Sequence, residues 1–138
     1  MKLAIEKEIK IRFSEVDSMQ IVWNGNYALF FEDARETFGK QYQMSYMDIL
    51  KHGYYTPLVE QHFYYKSPLR FGDNAKISIA YQDSLSPKLI FNYEIYNLTT
   101  QQLATTGQST QVFVDLNHNL VLTTPDFMLN WKKKFNVL

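Results

Sequence analysis

The stretch Asn26-Tyr27-Ala28-Leu29-Phe30-Phe31-Glu32-Asp33-Ala34-Arg35-Glu36-Thr37-Phe38-Gly39-Lys40 decides the fold. Tyr27, Phe30, Phe31, Ala34 and Phe38 recur at the spacing of one face of an α-helix, while Glu32, Asp33 and Glu36 lie off that stripe. An amphipathic helix of about four turns follows. Asn24-Gly25-Asn26 marks its entrance, where an Asn side chain can cap free N–H groups, and Gly39 marks its exit.

On either side the period falls to two, the signature of half-buried strands. From Leu3 to Phe13, the residues Leu3, Ile5, Ile9, Ile11 and Phe13 share one face and Lys2, Glu6, Glu8, Lys10 and Arg12 the other. After the helix, Ser45-Tyr46-Met47-Asp48 reads as a capping box opening a short helix that Gly53 closes. Tyr54 to Tyr65 is strand-like, with Pro57 imposing an edge, a bulge or a break. Pro68 and Gly72-Asp73 punctuate a loop before three further alternating runs, Ile77/Ile79/Tyr81, Leu89/Phe91/Tyr93/Ile95 and Leu103 to Asp115. Thr124-Pro125-Asp126 resembles an N-cap, a first-turn proline and an acidic first turn, so Phe127 to Val137 reads as a terminal helix carrying Lys132, Lys133 and Lys134.

One strand, one long helix, one short helix and then several strands, with no βαβ alternation, give an α+β fold. The single apolar-striped helix must bury its stripe on the concave face of the antiparallel sheet, because nothing else is available to cover it.

Composition narrows the function. The 138 residues suit one domain, 1–138, with 46% hydrophobic and 20% charged residues as in an ordinary globular chain. Fourteen basic side chains balance fourteen acidic ones, so the broad positive field of nucleic-acid binders is missing and no nucleic-acid partner is expected. With no cysteine, thiolate nucleophiles, disulfides and zinc ribbons are excluded. Met1 to Lys7 has no apolar signal-peptide core, and no run approaches the ~18 apolar residues of a membrane span, so no membrane insertion and a cytoplasmic location are expected. Aromatic residues reach 16%, more than so small a core needs, which points to strands and to self-association.

Several chemistries lack their first element: a Gly-x-Ser-x-Gly elbow, a glycine-rich phosphate loop and a dinucleotide fingerprint are all missing. His52, His62 and His118 have no spacing that puts two on one face, so no metal is expected. What remains is the loop Ser14-Glu15-Val16-Asp17-Ser18-Met19-Gln20-Ile21-Val22-Trp23-Asn24-Gly25-Asn26. It sets the carboxylate of Asp17 and an apolar stretch before a helix start whose free N–H groups favour developing negative charge. Two readings stand: a base or nucleophile beside an oxyanion binder, or a carboxylate that satisfies loop amides with Trp23 in the core.

The run Phe13-Ser14-Glu15-Val16-Asp17, then Ile21-Val22-Trp23-Asn24-Gly25-Asn26-Tyr27, then Phe30-Phe31-Glu32-Asp33-Ala34-Arg35 resembles the signature of hotdog-fold thioesterases of the 4-hydroxybenzoyl-CoA thioesterase type. The likeness continues through Tyr65-Lys66-Ser67-Pro68-Leu69-Arg70-Phe71-Gly72-Asp73 and from Ala104-Thr105-Thr106-Gly107 into Val112-Phe113-Val114-Asp115. It implies an antiparallel sheet wrapped around one long central helix, a dimer or tetramer with sites between subunits, and hydrolysis of an acyl-CoA thioester to free acid and CoA. It also implies that Asp17 is the catalytic nucleophile or general base and that the backbone N–H at Asn24 polarises the thioester carbonyl. By the same resemblance Trp23 and Tyr27 flank the acyl group.

Departures bear on roles. Several relatives have histidine where Asn24 stands, which removes a proton-transfer role there but leaves the backbone N–H. Many have glycine or histidine within the stretch occupied by Met19-Gln20-Ile21. In another branch the carboxylate sits on the central helix, making Glu32 and Glu36 reserve catalytic candidates, although Glu32 and Arg35 have the spacing of an i, i+3 pair. Cations for the CoA phosphates are on offer at Lys66, Arg70, Lys88 and Lys132 to Lys134. No cofactor is implied, CoA being part of the substrate. The alternatives are an acyl-acyl carrier protein thioesterase and a hotdog domain that binds an acyl thioester without turnover.

Overall fold

In the computed structural model, which describes residues 3–137, the first strand, β1, runs Ala4–Lys10. Leu3, Ile5 and Ile11 are buried as the alternation requires, whereas Lys2 lies outside the described residues. Phe13 departs from expectation: it is 75% exposed. The chain leaves the sheet at Ile11, and Phe13–Glu15 form a 3₁₀ turn whose entrance is held by the Arg12 N–H donating to Glu15 Oε1 at 2.7 Å. The strand period therefore stops before Phe13.

The long helix, α1, spans Asn26–Tyr42 and buries Tyr27, Phe30, Phe31, Ala34 and Phe38, the predicted stripe. Its ends differ from the reading of sequence. Gly25 holds the N-cap position with no side-chain cap, because Asn26 sends its amide to the Glu15 carbonyl (2.8 Å). Gly39 does not end the helix. A Cβ there would lie 2.6 Å from the Met44 carbonyl oxygen and the Ser45 Cα, so the glycine serves close backbone approach instead. The helix ends at Gln43, whose φ of 59° puts it in the left-handed region usual for helix termination.

The second helix, α2 (Tyr46–Lys51), has the expected capping box. The Asp48 N–H donates to the Ser45 hydroxyl, and the hydroxyl and N–H of Ser45 both donate to the Asp48 carboxylate, which holds that carboxyl below its usual range. Pro57 breaks the next strand into β2 (Tyr54–Tyr55) and β3 (Leu58–Tyr65).

Three long strands follow, β4 (Asn74–Gln82), β5 (Lys88–Asn97) and β6 (Gln102–Val112). All pairings are antiparallel and the sheet order is β1-β4-β5-β6-β3, which leaves β3 on an edge. The last run ends at Val112 rather than Asp115: a two-residue strand, β7 (Val114–Asp115), turns away to pair with β2 in a second small sheet.

The core lies between α1 and the sheet. Phe31 stacks on Tyr93 (3.9 Å between centroids, 3° between planes) and on Phe63 (4.8 Å), and Phe38 meets Phe91 edge-on at 5.0 Å. Each fully buried aromatic contributes about 2 to 3 kcal/mol by burial. The terminal helix, α3, runs Asp126–Lys134, shorter than Phe127 to Val137 at its end and without a Thr124 cap. Asn136 adopts φ 57°, and the Val137 N–H folds back onto the Lys132 carbonyl at 3.0 Å, which stops propagation. Lys132 is only 3% exposed: its ammonium donates to the Ser84 carbonyl at 2.8 Å and pairs with Asp83 at 2.9 Å.

Topology sorts the loops into two ends. Lys10 pairs with Asn74 and Tyr65 with Thr105, so the loops at 11–25, 66–73 and 98–101 gather at one end. Ala4 pairs with Ala80 and Lys88 with Val112, so the 83–87 loop and α3 lie at the other.

Candidate active site

The loop leaving β1 is a small hairpin. Val16 and Val22 form an antiparallel bridge, the Asp17 N–H donates to the Ile21 carbonyl at 3.0 Å, and the Gln20 N–H donates back to Asp17 at 2.9 Å. Gln20 closes the turn at φ 64°, a conformation that explains the suitability of glycine in this stretch. The half-buried Asp17 accepts the Met19 N–H on Oδ1 at 2.8 Å, an Asx turn. This is the loop-amide role weighed from sequence. Among the described residues it occupies one oxygen and leaves Oδ2 for other chemistry.

The hairpin is tied to α1 through the Glu15 carbonyl, which accepts from the Trp23 N–H at 3.0 Å and from the Asn26 side chain at 2.8 Å. These two bonds hold the Asp17 hairpin against the helix start. Trp23 is 54% exposed, so it is not a core residue. Its ring lies over Gly25, where a Cβ would come within 2.3 Å of it. Among the described residues, the backbone N–H groups of Asn24 and Gly25 donate to nothing. Uncapped donors at the positive end of a 17-residue helix favour a negatively charged oxygen.

Tyr27 is buried behind this start, 5.1 Å from Tyr65 and 5.9 Å from Phe30 between ring centroids. Burial pushes its phenol above the usual tyrosine range. Tyr65 is a neighbour that the sequence reading missed: its hydroxyl reaches the Asn24 carbonyl at 3.5 Å. Its position just before Lys66-Ser67-Pro68 was the available signal.

Glu32 and Glu36 lie further along α1. Both line a groove of about 610 Å³ between α1, α2, β2 and the start of β3, a groove that Asp17, Trp23, Asn24 and Tyr27 do not line. Glu36 is also occupied, accepting the Tyr46 N–H at 3.0 Å. The Glu32–Arg35 pair does not form. Arg35 turns inward and donates to Tyr93 Oη at 2.9 Å and to Gln61 Oε1 at 3.0 Å.

The cations divide by sheet end. Lys66 and Arg70 lie at the Asp17 end; Lys88 and Lys132 lie at the other, and Lys132 is buried in its ion pair. The histidines do not converge: His52 stacks on Phe127, His118 on Tyr55, and His62 bonds Glu60 at 2.7 Å. Among the described residues no three His, Asp or Glu side chains form a metal-ligating group, and no helix is long and apolar enough to cross a membrane.

Comparison with known proteins adds a family to this geometry. The model of the thioesterase-like superfamily matches residues 11–132. The Bacillus subtilis protein named "Putative acyl-CoA thioesterase YneP" is 33% identical over 110 residues, covering 80% of this chain and 79% of its own. A DHNA-CoA thioesterase from Staphylococcus aureus superimposes with a TM-score of 0.83 at 25% identity, over 97% of this chain and 92% of its own. Slr0204, a 1,4-dihydroxy-2-naphthoyl-CoA thioesterase from Synechocystis, superimposes at 0.82 with 16% identity over 96% and 98%, a likeness of fold alone. The architecture these structures share with the chain is the hotdog fold, a sheet wrapped around a long central helix.

Proposed function

Because the chain belongs to the thioesterase-like superfamily and is a thioester hydrolase, we propose that its substrate is an acyl-CoA, cleaved to a carboxylic acid and free CoA. One observation carries the reading: a hairpin holding Asp17 is hydrogen-bonded to a helix start with unspent N–H groups at Asn24 and Gly25. A thioester carbonyl seated against those donors develops its negative charge where the helix favours it. Asp17 then acts by one of two routes. As a nucleophile its oxygen bonds to the carbonyl carbon, the C–S bond breaks, thiolate leaves, and water hydrolyses the anhydride. As a general base it takes a proton from the water that attacks the same carbon. Trp23 and Tyr27 flank the acyl group, and no cofactor is required.

The proposal includes self-association, as a dimer or tetramer with sites between subunits. Its supports are the free edge of β3, with Val59, Tyr64 and Tyr65 each more than half exposed, and the exposed Trp23 and Leu29 at the α1 start. An edge strand with a row of apolar side chains is a template for pairing. The site would then take its second wall from another copy.

The test is release of free thiol from short, medium, long and aryl acyl-CoA thioesters, with the same acyl groups on acyl carrier protein in parallel. Hydrolysis of a CoA ester in preference to the carrier-bound ester upholds the reading. Preference for the carrier overturns the CoA assignment, and retention of ligand with no thiol release overturns the hydrolytic one.

A further inference from the structure

At the Asp17 end of the sheet one fully buried polar side chain takes no part in the proposed reaction: Asn97, the last residue of β5, is 0% exposed. Its partners fix its orientation. Oδ1 accepts the N–H groups of Thr99 at 2.9 Å and Thr100 at 3.1 Å, so the amide nitrogen faces the other way, where it donates to Asp73 Oδ2 at 2.8 Å. The two accepted bonds shape the turn between β5 and β6. The donated bond leaves that turn and reaches a loop 24 residues earlier in the chain.

Asp73 closes a turn with Arg70. Its Oδ2 also accepts the Arg70 N–H at 2.9 Å, its own N–H donates to the Arg70 carbonyl at 3.0 Å, and Gly72 between them takes φ 84°. Both sides of the Asp17 hairpin bond to this segment. On the entering side the Ile11 N–H donates to the Asp73 carbonyl at 2.9 Å and the Gly72 N–H to the Ile11 carbonyl at 3.0 Å. On the leaving side the Val22 N–H donates to the Leu69 carbonyl at 2.8 Å, and Val22 forms the bridge to Val16, next to Asp17. The hairpin thus has two supports, the start of α1 through the Glu15 carbonyl and the 69–73 segment, and Asn97 ties the second to β5.

Resting on the reading of Asp17 as nucleophile or base, we infer that Asn97 is a positioning residue: through Asp73 it fixes the segment that holds Asp17 against the helix start. The physical reason is an intolerance of small displacements. A shift of about 1 Å at a reacting group can cost ~100-fold in rate. Apolar packing gives this segment little hold of its own, because between Ser67 and Asp73 only Leu69 is buried. A role confined to the turn after β5 would need only the bonds to Thr99 and Thr100. The third bond, to a carboxylate on the segment under the hairpin, is what points to the site.

The experiment uses the whole protein as wild type, Asn97→Asp, Asn97→Ala and the double variant Asn97→Asp with Asp73→Asn. Tyr81→Phe serves as control, since it removes a hydroxyl that donates to Asp83 at 3.0 Å at the opposite end of the sheet. Asn97→Asp keeps an acceptor for Thr99 and Thr100 but sets a carboxylate against that of Asp73; the double variant restores the pair with donor and acceptor exchanged. Thiol release is measured at a temperature at which circular dichroism shows each form folded, and hydrogen exchange of the Val22 amide is followed by NMR. Asn97→Asp should lower kcat by about tenfold or more with KM within about threefold, and should speed Val22 exchange by a similar factor. Asn97→Ala should move both in the same direction, the double variant should recover both, and Tyr81→Phe should lose stability alone. Unchanged kcat or unchanged Val22 exchange in the folded Asn97 variants overturns the inference, as does a loss that the double variant fails to reverse. If neither single variant of Asn97 folds, the residue serves folding and the inference is overturned. A wild type that cleaves no thioester, with Val22 exchange still faster in the Asn97 variants, upholds the hold on the hairpin and overturns the hydrolytic reading instead.

Discussion

Arg35 on the central helix donates to the phenol oxygen of Tyr93 on β5 at 2.9 Å, and that oxygen also lies 2.6 Å from Ser109 Oγ on β6. One hydroxyl thus links helix and sheet through groups that water hardly reaches, Tyr93 being 2% and Ser109 1% exposed. Tyr93→Phe keeps the ring that stacks on Phe31 but strands Ser109 and removes one Arg35 partner. The expected cost is about 2 kcal/mol, read as a lower urea midpoint at unchanged slope. A midpoint that does not move would show that the hydroxyl network contributes nothing.

Gly39→Ala should destabilise although alanine is the better helix former. The propensity gain is about 1 kcal/mol, but the new methyl would meet backbone atoms of Met44 and Ser45 at 2.6 Å, and backbone cannot swing aside. A net loss of about 1 to 2 kcal/mol is expected in thermal or denaturant unfolding. Had Gly39 been a helix stop, the substitution would instead lengthen or strain the helix end without touching α2.

Both glycine and cation readings show where sequence stops short. The stripe Tyr27, Phe30, Phe31, Ala34, Phe38 was legible because a 3.6-residue period survives any detail of packing, and the β4-β5-β6 meander because alternation and turn residues agree. Gly39 was misread because glycine marks both helix ends and close approaches, and only the path of Met44 and Ser45 tells them apart. Lys132, one of three consecutive lysines, is buried because Asp83 and the Ser84 carbonyl await it across 48 residues. Glu32–Arg35 failed as a helix pair because Tyr93 and Gln61 offer Arg35 better partners on the sheet. At the candidate site, Asp17 and Asn24 were proposed through the family signature, and both lie on the hairpin that leads into α1; Glu15, whose backbone carbonyl ties that hairpin to the helix, leaves no trace in residue type.

High pH should reveal the buried phenols. Burial raises Tyr27, Tyr81 and Tyr93 above the ordinary value of 10.0. Above that pH the unfolded chain binds fewer protons than the folded one, so stability is intact below it and falls as pH rises further. A spectrophotometric titration should show these three of the ten tyrosines ionising only with loss of the folded circular dichroism signal. Smooth ionisation of all ten in the folded state would contradict the burial argument.

The most direct test is thiol release by wild type and Asp17→Asn at equal concentration on the best acyl-CoA ester. Asparagine keeps an oxygen to accept the Met19 N–H that Asp17 accepts at 2.8 Å, so the hairpin should hold and only the carboxylate's charge and reactivity are removed. A fall of about 100-fold or more in kcat is the predicted result. Unchanged turnover would contradict the assignment of Asp17 and turn attention to Glu32 and Glu36.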